Sequence, residues 1–407
     1  MNKQELKKEA ERWVKDGIIN ETQLEQILSR YETKDKSYLL VLFAVLLISI
    51  GILIFAFSEI TQVSALFRVI LMMAFMTILY IIGHRVYERN KNLTTKHIYG
   101  ISFIILGYMF FGATLLLIIN IYEVTLFNIW PLIIWSFIGI LLYTLYEHPY
   151  ILILGLIISI VSQIYSALEF NSFDFVMFIL FVLGYFHYVF HHQNKLFSYI
   201  FSIGLSIQLV LLTTIEIEQY YWFLVFCMAL YVLALVMTKP ILKRALFYIS
   251  IWTVLLFRMY ESFMLQEEYF ASEIDMQPLF FVVWAIVAII LIGLIWLKQS
   301  KLELIDFILF LPFFFLPYHY IFIIVTMFVF SVYWLIIGFQ RNIHEKIVIG
   351  IGSFLISTFT VYIQFAWETL NRSLFFLIGG FLLFIISFFF ERKRRTSTPT
   401  KKGDDVR

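Results

Sequence analysis

A single cysteine, Cys227, stands in a chain of 407 residues, which excludes an intramolecular disulfide and any metal centre built from several thiolates. It lies inside an apolar stretch and reads as a small buried filler. Charge is scarce as well: Asp, Glu, Lys and Arg make up 14% of the residues, against about 25% in an ordinary globular domain. The chain carries no Gly-rich phosphate cradle, no nucleotide motif and no Ser-His-Asp set. Midplane carboxylates of the kind proton-coupled pumps use are not evident either. No catalytic residue, metal site, cofactor or nucleic-acid partner is therefore assigned, and the expectation leans away from an enzyme.

What is abundant is grease. Hydrophobic residues make up 61% of the chain, with 46 Phe, and the mean hydropathy is +0.88. A core cannot absorb that excess, because chains of this size already divide their cores into domains. It has to be lipid-facing surface. Fourteen continuous apolar stretches are expected as transmembrane helices: 38–58, 65–83, 98–121, 127–146, 149–166, 173–191, 197–214, 219–238, 245–260, 278–297, 303–316, 317–339, 346–364 and 372–390. They do not alternate with period two, so a barrel is excluded. Counting loops by parity, only Arg68, Arg258 and Arg372 of the 30 Lys and Arg residues fall on one side. Lys and Arg beside short loops are retained in the cytoplasm, so both termini are expected there. The weakest pair is 303–316 and 317–339, divided by Pro317, where 303–316 reads either as a full span or as re-entrant.

The fold class is thus an all-α integral membrane protein, a polytopic bundle of about 14 helices over residues 38–390. Residues 1–37 read as a short cytoplasmic helical hairpin, broken at Asp16-Gly17, with Asn20 as an N-cap and Gln23 completing a capping box. The first 37 residues are polar, so no cleavable signal is expected. The hairpin is too small to hold a core, and Trp13, Ile18, Ile19 and Leu24 are candidates for docking a cytoplasmic partner. Residues 391–407 form a basic tail that is disordered by composition.

Trp13, then Gly17-Ile18-Ile19-Asn20 and Gln23, followed closely by a Gly-containing first span, resembles a bacterial family of predicted membrane proteins, domain of unknown function twenty-one fifty-seven. Arg68 matches the basic residue that often opens the second span of that family. Asn20 departs from the usual Ser or Thr, and Ser58-Glu59 from the frequent Asn-Trp. The resemblance covers about the first third of the chain and implies a bacterial plasma-membrane protein, with no reaction and no substrate.

Four residues are candidates for a solute site. Arg68, a few residues inside the second span, reads as an arginine snorkelling to the interface, with an anion or headgroup contact as the alternative. Asp306 reads as an interfacial group, with a proton relay as the alternative. With Pro312, Pro317 and His319 it makes a short, Pro-interrupted stretch, the pattern of either a broken helix lining a cavity or a kinked structural helix. His187, His191 and His192 read as interfacial rather than metal-binding, because no third ligand accompanies them. Gln163, Gln208 and Gln364 are expected to hydrogen-bond between helices, and Tyr220, Tyr221, Trp222 and Trp367 to form an aromatic belt. The leading expectation is a transporter or flippase of a lipid-linked or amphipathic solute. The alternatives are a scaffold or sensor that docks a cytoplasmic partner through the hairpin, and a membrane enzyme with a small external site around Arg68, Glu123 and Glu261.

Overall fold

The computed structural model describes residues 9–14, 16–24, 37–57, 64–89, 97–121, 129–192, 194–264, 277–298, 301–316 and 318–366, with scattered positions to 388. It is all-helical, with no strand among the described residues. In a hydrocarbon environment water supplies no hydrogen bonds, so each apolar run closes its own backbone ladder. The helices are α1 (Ser37–Phe57), α2 (Ala65–Arg89), α3 (His97–Ile121), α4 (Trp130–Tyr146), α5 (Pro149–Phe170), α6 (Phe175–His191), α7 (Lys195–Ile217), α8 (Trp222–Val236), α9 (Pro240–Met264), α10 (Pro278–Leu297), α11 (His319–Gln340) and α12 (His344–Ala366). Eight of them, α2, α3, α5, α7 and α9 to α12, are long and apolar enough to cross a membrane. The described parts of α1, α4, α6 and α8 are shorter apolar helices.

Proline and capping residues mark the starts. Pro149, Pro240 and Pro278 each open a helix, where a missing N–H costs nothing. Asp174 accepts from the Met177 N–H at 2.7 Å and Asn194 from the Leu196 N–H at 2.8 Å. Within α7, Ser198, Ser202 and Ser206 each donate to the carbonyl four residues back, so their hydroxyls are satisfied while the small side chains sit buried.

At the N-terminus, residues 9–14 and 21–24 are helical. Gly17, at φ 70°, ends the first piece: the Ile18 N–H reaches the Trp13 carbonyl and the Gly17 N–H the Val14 carbonyl. The capping box forms with both bonds, Gln23 N–H to Asn20 Oδ1 at 2.8 Å and Asn20 N–H to Gln23 Oε1 at 3.0 Å. Residues 25–36, the rest of the expected hairpin, and the tail 391–407 lie outside the described residues.

The chain divides into two compact units, Met1–Leu126 with Leu141–Ile151, and Phe127–Ile140 with Leu152–Arg407. In the first, α2 and α3 approach closely through Gly83 and Gly100; a Cβ at Gly100 would sit 2.6 Å from the Tyr87 nitrogen. In the second, α11 and α12 approach through Gly338 and Gly350, and α8 packs on α9. Four basic residues of this second unit lie by helix ends that meet one another, apart from Arg258. Lys239 lies over Phe190, Arg244 pairs with Glu345 at 3.6 Å, Lys346 sits over Trp334 at 3.7 Å, and Lys298 donates to the Leu235 carbonyl. Loops of one parity therefore do meet at one end of this unit. Outward faces stay apolar, with Ile289, Trp296 and Leu183 among the most exposed large side chains.

One stretch departs from the α-helix. Lys301–Phe310 and Phe313–Phe315 are 3-10 turns on either side of Leu311-Pro312. Asp306 is held by Tyr231 and Trp334, late in α8 and α11, whereas the carbonyls of Leu309 and Leu311 meet Arg258, late in α9. A 3-10 helix rises about 2.0 Å per residue, so a stretch this long reaches about 30 Å, where an α-helix would reach only about 22 Å.

Candidate functional site

The chemistry concentrates around that 3-10 stretch. Its irregular backbone leaves carbonyls without helical partners, and side chains of neighbouring helices supply the donors. Arg258 Nε donates to Leu309 O at 2.9 Å and Nη2 to Leu311 O, while Trp284 Nε1 donates to Phe310 O at 2.8 Å. The remaining Arg258 nitrogen, Nη1, meets Glu261 Oε2 at 2.6 Å, and both side chains are fully buried. Phe313 and Phe314 close over the guanidinium, their ring centres 5.6 and 5.8 Å away. Arg258 thus has all three nitrogens engaged, and the pair carries no net charge. Glu261 is left with a second oxygen, Oε1, that is buried and without a hydrogen-bond partner among the described residues.

A second knot holds the stretch at Asp306, one turn before Leu309. Asp306 is fully buried and accepts one bond on each oxygen, from Tyr231 Oη at 2.6 Å and from Trp334 Nε1 at 2.7 Å. Lys346 lies on the Trp334 ring, with the Phe247 ring at 4.8 Å on its other flank. The expectation of an interfacial Asp306 is corrected: a carboxylate with two neutral donors and an indole-backed cation has no need of water.

A cavity of about 650 Å³ opens between α7 and α9, its lining including Ser206, Thr213, Thr214, Tyr220, Trp252 and Thr253. Leu212–Ile217 of α7 is a π-helical turn, a local widening often found at functional sites, and Glu218 ends it in the left-handed region at φ 59°. Most hydroxyls of the lining are already committed. Ser206, Thr213 and Thr214 donate to carbonyls of their own helix, and Thr253 to Ser206. Tyr220 differs: its hydroxyl is buried and has no partner among the described residues.

Helix α9 joins the two features. Ile249, Trp252, Thr253, Leu256 and Tyr260 face the cavity, while Arg258, turned to the opposite side, holds the 3-10 stretch.

Of the four residues expected at a solute site, Asp306 and Pro312 belong to the 3-10 stretch, and His319 opens α11, its Nδ1 3.0 Å from the Leu316 carbonyl. None of the three lines the cavity. Arg68 is half-buried near the start of α2, in the other compact unit. Of the docking candidates, Ile18 is 68% exposed, while Trp13, Ile19 and Leu24 are half-buried. Pro317, Glu59, Glu123, Trp367 and Arg372 lie outside the described residues.

Other expectations need correcting. Glu261 is not an external loop charge but forms a buried pair with Arg258 inside α9, which removes it from any water-exposed enzyme site. Their i, i+3 spacing within an apolar run was the available signal. Tyr231 and Trp334 carried no such signal. Tyr221 and Trp222 are buried rather than belted, packed edge-on against Phe280 at 4.9 and 5.6 Å. Among the amides, Gln364 donates to the Ser262 carbonyl at 3.4 Å, whereas Gln208 is buried with no partner among the described residues. His187 and His191 stack with ring centres 4.4 Å apart, and His191 Nδ1 lies 2.7 Å from the His187 carbonyl.

Residues 11–152 match the family model described as "Predicted membrane protein (DUF2157)". No curated protein and no solved structure matches the chain.

Proposed function

We propose that this chain is a bacterial plasma-membrane protein of fourteen spans, both termini cytoplasmic, that holds and carries an amphipathic, lipid-like solute in the cavity between α7 and α9. The observation that carries this reading is the double role of α9, which lines an apolar cavity on one face and grips an irregular backbone stretch on the other. Irregular backbone at membrane depth is tolerated only where protein or a cavity shelters it, and in carriers it sits beside the solute. The apolar lining suits an acyl or prenyl chain better than an ion. Counted as a crossing, the 3-10 stretch joins α1 to α12 and the 372–390 run to make the fourteen.

The test is translocation. The full chain is reconstituted into phosphatidylcholine vesicles with an alkyl glucoside bearing a fluorescent NBD group on its tail, and the inner-leaflet fraction is followed by dithionite quenching. Protein should speed exchange over protein-free vesicles. Thr253→Trp, which fills the cavity, should return the rate to that baseline, while Ile18→Ser should leave it alone. A cavity-filled variant that still exchanges at the full rate would sink the reading.

A second reading, a scaffold docking a cytoplasmic partner, draws on the exposure of Ile18 at the turn between the two N-terminal helical pieces. In that case Ile18→Ser would abolish function and Thr253→Trp would not.

A further inference from the structure

The cavity between α7 and α9 is a slot in the side of its unit, and its walls say which part of a solute enters. The back wall is buried: Ser206, Thr213, Phe223 and Phe257 are each at most 6% exposed. The lips are not, with Ile203 at 44% and Val210 at 38% on α7, and Leu256 at 52% and Tyr260 at 48% on α9. The opening therefore runs along the helices and faces sideways, where a spanning helix meets lipid chains rather than water. No lining residue carries a formal charge, and Ser206, Thr213, Thr214 and Thr253 spend their hydroxyl protons within the protein. Such a wall suits hydrocarbon.

The slot is also short. Its lining runs from Ile203 to Thr214 on α7 and from Ile249 to Tyr260 on α9. At about 1.5 Å per residue that is about 16 Å on each helix, half of a hydrocarbon core about 30 Å thick. Residues 195–202 and 240–248, the first turns of the same helices, contribute nothing to it. There Ser198, Ser202, Ala245 and Leu246 are buried to 1% exposure or less. In the topology proposed above both helices run outward from the cytoplasm, so the slot lies in the outer leaflet and the inner half is packed. A staggered carbon chain with bonds of about 1.5 Å advances about 1.3 Å per carbon, so about twelve carbons reach the inner end.

We infer that the α7–α9 cavity admits the tail of an outer-leaflet lipid from the side, to a depth of about twelve carbons, with the head left at the membrane surface beyond Tyr260. This rests on the solute-cavity reading above and adds which part of the solute enters, how deep, and from which leaflet.

The experiment places the full chain in phosphatidylcholine nanodiscs with either of two photoactivatable phosphatidylcholines. One bears a diazirine on its chain close to the head, the other at the depth of the slot's inner end, and labelled residues are mapped after illumination. Ile289, 70% exposed on α10, is the reference for ordinary lipid contact. The deep probe should label Ser206 and Ile249, and the shallow probe Thr213 and Phe257. Thr253→Trp should abolish all four labels and leave that of Ile289. Ile203→Trp, at an exposed lip, should remove the deep probe's labels and spare the shallow probe's. Wall residues left unlabelled while Ile289 reacts, both probes at one level, or the reversed order would each overturn the tail assignment. So would a Thr253→Trp variant that labels like the parent, or an Ile203→Trp variant that keeps the deep labels or loses both sets. An alkyl glucoside with a diazirine on its tail, run in parallel, separates the two readings. If it labels the wall where the phosphatidylcholines do not, the cavity stands as a solute site without the lipid tail. If nothing labels the wall, both fall.

Discussion

At the scale of residues, the molecule is organised by two buried carboxylates with different ways of being satisfied. Glu261 is neutralised by Arg258, which also serves two carbonyls of the 3-10 stretch. Removing the guanidinium alone strands a buried charge and the Leu309 carbonyl, while Leu311 keeps the Phe313 N–H, so Arg258→Met should cost about 3–5 kcal/mol. The double variant Arg258→Met, Glu261→Leu should recover most of that, because apolar side chains of similar volume replace a buried pair at little cost. The shortfall measures the abandoned Leu309 carbonyl. Thermal or detergent-denaturation midpoints of the purified variants read the difference, and a double variant no more stable than the single one contradicts the argument. Asp306 is satisfied by neutral donors instead. Asp306→Asn keeps an acceptor, and the Tyr231 hydroxyl can turn to accept from the new amide. Asp306→Ala leaves both Tyr231 and Trp334 unsatisfied, about 1–3 kcal/mol each. The alanine variant should therefore melt clearly below the asparagine variant, and equal midpoints would remove Asp306 as an anchor of the stretch.

At the scale of elements, helix contact depends on where backbone meets backbone. A Cβ at Gly350 of α12 would sit 2.7 Å from the Leu335 nitrogen of α11, whereas one at Gly293 of α10 would meet nothing within 4 Å. Gly350→Ala should push these helices apart at a cost of a few kcal/mol, on the scale of about 1–3 kcal/mol for overpacking. Gly293→Ala should be neutral or slightly stabilising through its helix propensity. The same denaturation midpoints decide, and matched effects at the two positions would contradict the packing. The 3-10 stretch is the opposite case, an element set by its anchors rather than by its own preference. Its apolar composition would serve an α-helix, yet it is 3-10 where side chains of neighbouring helices bond Asp306, Leu309 and Leu311.

At the scale of the whole molecule, the sorting of basic residues predicts which ends face the cytoplasm. With the buried Cys227 replaced by Ser, single cysteines at Lys239, Lys298 or Asn342 should react with a membrane-impermeant maleimide only after cells are permeabilised. Cysteines at Gln219 or Gln277 should react in intact cells. Reaction of both sets from the same side would dissolve the topology. The helices themselves were largely legible beforehand. Continuous apolar runs, basic loops of one parity and the Asn20–Gln23 capping box are local or additive properties, and a helix in lipid has no alternative way to satisfy its backbone. Glu261 was misjudged as a loop residue because hydropathy counts a charge as a cost and cannot see the Arg258 partner that cancels it. That Tyr231 and Trp334 would converge on Asp306, that α9 would divide its faces between a cavity and an irregular stretch, and that Tyr220 would be left unsatisfied depend on which helices become neighbours. Composition and spacing decide that a segment enters the membrane; only tertiary packing decides which polar atoms inside it find each other.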